Sequence, residues 1–521
     1  MESINQFWNT KKHDRLLFLS ILALGIFARV WDFGKLPPGL NADEASIGID
    51  AFNLLHYGID RNGISFPVQF ISWGSGQNAL YGYVLIPFIA LFGLSPLVVR
   101  LPMLISGILT IPLVYFVAQQ MMGEVFGLLS MFFLAICPWH ILLSRWGLES
   151  NFLPVIFLLG YSCLLKAAKN NYWFIISCIF FAMALYSYGT AYAIVPIFLF
   201  CTCWILLKAK QSTLGITLTG TLIFIILALP IALFIAINSM RLNSIQLGVI
   251  TIPRLPTIPR YESQSAVFGN QIISTTMTNI NILTKLLIMQ SDGIAYNVVD
   301  PFGYFYTITF PLAIIGIGIF IHSRKTYQTK LLLAWLAATL ISGVIEPVNI
   351  NRINLIFIPL ILCIAACILW VTKTNKVYFA LAIGGFFVGF VCFTAIYYGA
   401  GYREQVNRKF YTGILPALDY ARQLGDNPIC VTDKFNMPYI FALFSEKTNP
   451  AEYLATVKYI DPQAPLRQVL SFGRYTFGIE NCEQVPKTIF ILLADEKPPQ
   501  LGNGYKIKDF SNFVLFYPTL K

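Results

Sequence analysis

The chain is 521 residues long, 56% hydrophobic and 15% aromatic. Only 12% of its residues are charged, against roughly 25% in a soluble globular protein, which excludes a water-soluble enzyme, a disordered chain and a coiled coil. The net charge of +11 sits in short basic clusters between apolar runs, as membrane topology requires, and no basic, aromatic-interleaved patch of a nucleic-acid binder is present.

Taken in chain order, Lys11, Lys12 and Arg15 precede an apolar run over 16–30. That pattern predicts a cytoplasmic N-terminus and an uncleaved first helix. Pro37-Pro38-Gly39-Leu40-Asn41-Ala42-Asp43-Glu44 follows. Residues 45–57 then read as an amphipathic helix with Ile47, Phe52, Leu54 and Leu55 as its apolar positions. Asp43 and Glu44 open it. Either they cap the helix and meet its dipole, or one of them removes a proton from an acceptor hydroxyl.

Further apolar runs cover 79–94, 99–119, 125–142, 151–168, 172–187, 190–207, 213–237, 303–322, 331–346, 353–371 and 377–399. The 79–94 run is short and contains Pro87. If it does not cross, the clusters at Lys166/Lys169, Lys208/Lys210, Arg324/Lys325/Lys330 and Lys373/Lys376 share the side of Lys11, Lys12 and Arg15. The positive-inside rule therefore predicts eleven spans and a non-crossing 79–94 segment. Three long polar segments then lie outside: 31–98, 238–302 and the tail.

Ionisable residues at a membrane edge are costly and raise functional suspicion. Arg29, Arg100, Arg145 and Arg352 stand at outer ends of spans, where a guanidinium fork suits the phosphate of a lipid head group. Pro138-Trp139-His140 with Ser144-Arg145 and Glu149 forms a second constellation, and Glu346 to Asn354 with Arg352 a third. Structural readings stand beside these: Trp anchors, an Arg145–Glu149 pair at i,i+4, and a snorkelling Arg352. Eight cysteines lie in apolar runs and read as packing. Cys430 and Cys482 lie in the polar tail, where they either form a disulfide in an oxidising compartment or remain two buried thiols. The tail reads as a small α/β domain, with a helix over 412–424 and strands over 429–432, 488–493 and 513–517.

The order of these motifs resembles the GT-C glycosyltransferases, in the branch holding protein O-mannosyltransferases and lipid A aminoarabinose transferases (glycosyltransferase family 39 and its relatives). A proline-rich turn and Asp43-Glu44 after the first span resemble that family's first extracytoplasmic loop. Arg100-Leu101-Pro102 after Leu91-Phe92-Gly93, the acidic loop with His140 and Glu149, and Asn351-Arg352 before Pro359 resemble its later motifs. The family's Lys-Pro-Pro or His-Pro-Pro before the 79–94 helix is replaced here by Gly76-Gln77-Asn78-Ala79-Leu80, and Glu149 stands where many relatives have Asp.

The resemblance implies an all-α polytopic membrane protein of GT-C type, residues 1–400, with about eleven transmembrane helices plus interfacial ones. Residues 401–521 would form the extracytoplasmic α/β domain. It further implies an inverting glycosyltransferase that moves a monosaccharide from a polyprenyl-phosphate donor to a lipid, glycan or protein acceptor at the outer face of a bacterial cell membrane. Asp43 would be the general base, with Glu44 beside it. Arg100, Arg145, Arg352 and Arg29 would bind the donor phosphate, and Glu149 and His140 the acceptor. The resemblance fixes no cofactor; a divalent ion, if one is used, would fall to Asp43 and Glu149. Arg100→Ala is expected to weaken donor use far more than folding. The alternatives are a transporter or lipid flippase, and a glycan polymerase or ligase fed by lipid-linked oligosaccharide.

Overall fold

A computed structural model describes residues 12–257, 272–323, 326–372, 375–462, 464, 466–482, 487–501 and 504–519. The chain divides into two compact units. The first comprises residues 1–33, 103–232 and 261–399, and the second 34–102, 233–260 and 400–521. Most of the first outer loop and the start of the second, expected to belong to the membrane part, thus group with the tail.

Seven helices among the described residues are long and apolar enough to cross a bilayer: Pro96–Met122, Ala191–Lys208, Leu214–Ser239, Ile272–Met289, Tyr327–Ile345, Asn354–Thr372 and Lys376–Tyr397. Leu214–Ser239 and Lys376–Tyr397 keep most of their apolar surface uncovered by protein. Leu218, Leu222, Ile225 and Ile226 are more than half exposed, a surface that lipid rather than water must cover. Asn354–Thr372 is the opposite case, 83% buried. Aromatic rings fill the interior of this unit: Phe157 stacks on Phe181 at 5.1 Å and on Trp335 at 4.7 Å between centroids, a favourable tilted arrangement.

One expected run and one expected polar segment differ in detail. The run over 125–142 is not one helix but two, Glu124–Ile136 and Pro138–Leu143. Pro138 carries no N–H and is placed at the start of the second helix, where none is needed. The segment 238–302 is not merely a polar loop, because it contains the 18-residue helix Ile272–Met289. Its Thr and Asn residues lower the local hydropathy and hide an apolar face. Asn279 at mid-helix donates to the carbonyl of Val344 at 3.0 Å, so the middle of this helix meets the last turn of Tyr327–Ile345. The helix Leu80–Phe92 has 13 residues, about 20 Å of length against roughly 30 Å of hydrocarbon, which suits the non-crossing reading.

In the second unit the helix Ala42–Tyr57 is central. Asn41 caps it: its side chain accepts from the Asp43 amide at 2.9 Å, and Glu44 accepts from the Asn41 amide at 3.0 Å. This reciprocal capping box fixes the entry of the chain, and Gly58 at φ +71° ends the helix. The expected amphipathic helix is instead buried on almost every side, between Leu80–Phe92 and Pro438–Glu446. A side chain at Gly48 would come within 3.0 Å of Phe444 and Val99, so this close approach requires glycine.

The tail builds a seven-stranded sheet in the order 505–510, 513–518, 489–493, 429–431, 475–477, 469–472, 458–459. The strand Ile429–Val431 runs parallel to both of its neighbours, and the outer pairs are antiparallel. Three strands and the helix Ile414–Gln423 fall where the sequence placed them. Cys430 and Cys482 are joined by a disulfide with their Cα atoms 6.0 Å apart.

Candidate functional site

The residues singled out in the sequence fall into two groups, one in each unit. In the second unit Asp43 and Glu44 are adjacent on one helix turn but have different surroundings. Glu44 is fully buried and Asp43 is half-buried. Glu44 receives the Arg100 guanidinium through two hydrogen bonds, Nε to Oε1 at 2.7 Å and Nη2 to Oε2 at 2.8 Å. The remaining Arg100 contacts go to the backbone: Nη1 donates to the Pro37 carbonyl at 2.7 Å and Nη2 to that of Gly39 at 2.9 Å. Arg100 is fully buried. Expected as a phosphate ligand, it instead clamps the proline-rich turn to the helix start, and its fork is already filled by a carboxylate.

Asp43 is held differently. Trp73 donates its indole N–H to Asp43 Oδ1 at 3.1 Å. Trp73 has φ +57°, a left-handed conformation that is costly for a bulky residue and collects at functional positions. Its carbonyl accepts from the Arg467 amide at 3.1 Å, its ring meets Tyr439 edge-on at 6.2 Å, and Arg61 lies over its face at 5.6 Å.

Arg61 in turn anchors the loop after the helix. It donates to Asp50 Oδ2 at 2.8 Å and to Ser46 Oγ at 2.8 Å, with both partners of the ion pair buried. Sequence reasoning missed both Trp73 and Arg61. Each acts across the fold rather than along a helix face, so no periodicity or spacing marks it.

Asp60 completes this network. Its Oδ1 accepts from the amides of Asn62 at 2.8 Å and Ile64 at 2.9 Å, while its buried Oδ2 has no hydrogen-bond partner among the described residues. Burial first, and the nearby Asp50 second, push its carboxyl up to about 7, from roughly 3.9 in an unfolded chain. An acid whose folded value is raised stabilises the fold fully below the unfolded value and loses that contribution as pH rises through the folded one. Melting temperature of the full chain in detergent is therefore expected to fall between pH 5 and pH 8, and Asp60→Asn to flatten that slope. An unchanged slope in the variant would remove Asp60 as its source.

In the first unit Arg29, His140 and Arg145 come together. Arg29 donates to the carbonyls of Gly25, Leu134 and Ala135 at 2.8 to 3.0 Å and to His140 Nδ1 at 2.6 Å. Leu134 and Ala135 lie in the last turn of Glu124–Ile136, so Arg29 satisfies a helix C-terminus. Because arginine only donates, His140 Nδ1 is the acceptor, and the neutral ring carries its proton on Nε2. Arg29 and His140 were expected at the donor and the acceptor; both are buried and bonded to each other.

Arg145 donates to the carbonyls of Arg29 and Trp31, each at 2.8 Å, and lies over the rings of Tyr397 and Tyr398. Glu149 opens the helix Glu149–Lys166, where its carboxylate is favoured by the dipole. Arg352 is half-exposed, with Nη1 on the Pro347 carbonyl at 3.0 Å. Its loop is pinned from both flanks. Asn351 donates to Asn151 at 3.2 Å, and Asn354 donates to the Ser150 carbonyl at 3.0 Å and accepts from Trp139 Nε1 at 3.0 Å.

Asp43 and Glu149, the pair named for a divalent ion, belong to different units. Among the described residues no three His, Cys, Asp or Glu side chains gather as a metal site.

Residues 79–234 match the dolichyl-phosphate-mannose-protein mannosyltransferase family. No curated protein matches the chain in sequence. Among solved structures, ArnT from Cupriavidus metallidurans bound to undecaprenyl phosphate is similar, with a TM-score of 0.55 and 12% identity over 97% of this chain and 98% of that one. Its apo state gives a TM-score of 0.53 at 12% identity, covering 96% and 97%. The archaeal oligosaccharyltransferase AglB from Archaeoglobus fulgidus, in complex with an inhibitory peptide and a dolichol-phosphate, gives 0.51 at 13% identity. That match covers 84% of this chain, which spans 64% of AglB. At such identities the likeness is one of fold. With its apolar helices and these matches, the chain is a multi-pass membrane protein that has the GT-C glycosyltransferase fold.

Proposed function

We propose that this protein transfers a monosaccharide from a polyprenyl-phosphate donor to an acceptor hydroxyl or amine at the outer face of the membrane. The observation that carries this reading is the unequal fate of two neighbouring carboxylates. Glu44 is fully buried in the helix cap and the Arg100 fork, while Asp43 is only half-buried and accepts from the Trp73 indole N–H. A carboxylate oriented by a side-chain donor and reached by solvent is suited to accept a proton.

In the proposed step the acceptor oxygen or nitrogen attacks the anomeric carbon as its proton passes to Asp43. The bond from that carbon to the phosphate oxygen breaks, and the electron pair leaves with polyprenyl phosphate. One displacement inverts the anomeric centre. Arg352 is the proposed phosphate contact, because it is only half-buried at the end of a span. A cation there stabilises charge as it develops on the leaving phosphate. Arg145 supports the same region of the first unit from a buried position, and Glu149 orients the acceptor. For Arg29, His140, Glu44 and Arg100 the geometry favours holding the fold over touching substrate.

The outward orientation is supported by the disulfide, since such bonds persist in oxidising compartments. Cysteines introduced at Lys208 and Lys373 should resist an impermeant thiol reagent applied outside; labelling at both would reverse the orientation.

The direct test is release of free polyprenyl phosphate from a panel of polyprenyl-phosphate sugars, with purified protein and a crude membrane extract as acceptor. Release from at least one donor is expected. Its absence with every donor, from folded protein, would sink the reading in favour of a transporter or an enzyme using lipid-linked oligosaccharide. Product mass separates a single added sugar from a transferred oligosaccharide.

Trp73 is a positioning residue in this scheme. Its N–H holds the Asp43 carboxylate through Oδ1. Trp73→Phe is expected to lower kcat about tenfold with the donor KM and the melting temperature unmoved. An unchanged kcat would reduce Trp73 to packing.

A further inference from the structure

We propose that a cavity of about 620 Å³ in the second unit is the acceptor subsite and that it takes an acidic sugar, one bearing a carboxylate or a phosphate. This deepens the reading above and rests on it for the word acceptor. The binding claim stands on the cavity itself.

The volume lies within the roughly 300–1,000 Å³ of small-molecule sites. Three kinds of lining residue converge there. Arg408, Lys409 and Lys434 supply positive charge, with Asp495 as the only carboxylate in the wall. Tyr411, Phe435 and Phe513 supply an aromatic side, with Phe435 at 5.1 Å from each of the other two rings. Gln405, Asn436 and Asn512 supply amides.

Each kind answers a part of an acidic sugar. An aromatic face packs on the C–H face of a sugar ring, amides bond hydroxyls in both directions, and cations neutralise the acidic substituent. Not all of this charge is matched by neighbouring carboxylates. Arg408 meets Asp495 only at 3.8 Å, with both side chains more than two-thirds exposed. Lys434 meets Glu496 at 3.0 Å. Lys409 has no carboxylate partner among the described residues. The buried Asn512 Nδ2 likewise has no hydrogen-bond partner among them, which is an expensive state for an amide donor. A ligand hydroxyl or carboxylate would satisfy it.

The cavity shares a wall with the helix start that carries Asp43. The Phe410 carbonyl accepts from the Leu40 amide at 2.8 Å, and the next residue, Tyr411, lines the cavity. Burial, with the Asp43 charge as a smaller contribution, pushes the Tyr411 hydroxyl up. The segment 410–411 therefore has the proline-rich turn on one side and the cavity on the other.

The test is saturation-transfer NMR on the full chain in detergent, with glucose, glucuronic acid and glucose 6-phosphate as probes. The two acids are expected to bind at least tenfold more tightly than glucose. The exposed double variant Arg408→Glu/Lys409→Glu should lose that preference at least tenfold with an unchanged melting temperature, and Asn512→Ala should weaken both acids. Equal binding of glucose, or an unchanged double variant, would overturn the proposal. So would a double variant altered only in binding phosphatidylglycerol over phosphatidylcholine vesicles, which would assign the charges to a lipid surface. Asp43→Asn should bind both acids as wild type does. In transfer assays the double variant should raise the KM of an acidic acceptor at least tenfold with the donor KM unmoved. Transfer retained by Asp43→Asn would defeat the catalytic reading and leave the cavity standing; binding lost only in the cavity variants would do neither harm.

Discussion

Asp43→Asn is expected to lower sugar transfer by about 10²- to 10⁴-fold, the range general-base catalysis supplies, with almost no loss of stability. The substitution keeps shape and removes only the ability to accept a proton. The Asp43 backbone amide still bonds Asn41 Oδ1, and an amide oxygen can still accept from Trp73. The cap itself belongs to Asn41 and Glu44, so the helix loses only the favourable placement of one charge at its N-terminus, roughly 0.3–1 kcal/mol. Turnover by purified variant and wild type, each with its melting temperature, separates the two readings the sequence left open. A fall in turnover at constant stability assigns catalysis. A fall in stability with turnover preserved would return Asp43 to capping and discard it as the base.

That opening motif was the most legible part of the site, because it is local. A capping residue, two carboxylates and an apolar helix within a few residues carry their meaning in sequence order. Most of the spans were legible for the same reason, because bilayer thickness imposes a length; Ile272–Met289 was not, since its Thr and Asn residues masked it. What the sequence could not display was partnership at long range. Arg100 is 56 residues from Glu44, Trp73 is 30 from Asp43 and Arg29 is 111 from His140. An arginine at a membrane edge reads as a phosphate ligand until its acceptors are known, and here a carboxylate and backbone carbonyls fill that place for Arg100. The helix Ala42–Tyr57 misled in a related way. It read as amphipathic, yet its Asp50 is buried against Arg61. In the tail, strands of two to four residues carry too little pattern to be seen, and those at 458–459, 469–472 and 475–477 were missed.

Arg100→Ala is expected to destabilise the protein by about 3–5 kcal/mol, the cost of breaking a buried ion pair from one side. This reverses the sequence-based expectation that donor use would suffer more than folding. The variant takes the guanidinium from the Glu44 carboxylate, which is fully buried and keeps the Asn41 amide of the cap at 3.0 Å. It also frees the carbonyls of Pro37 and Gly39, so the turn that delivers Asp43 loses its clamp. A double variant distinguishes lost pairing from lost chemistry. Glu44→Gln keeps an acceptor for the cap while removing the charge, and Arg100→Met fills most of the volume. Together they leave no unpaired ion, and replacing a buried pair with neutral groups is often close to neutral in stability. Melting curves of the two singles and the double form a cycle whose coupling term reports the pair directly. If Arg100→Ala melts as wild type does but no longer uses donor, Arg100 is the phosphate ligand after all. If the double variant recovers both stability and turnover, Arg100 acts only by holding Asp43 in place.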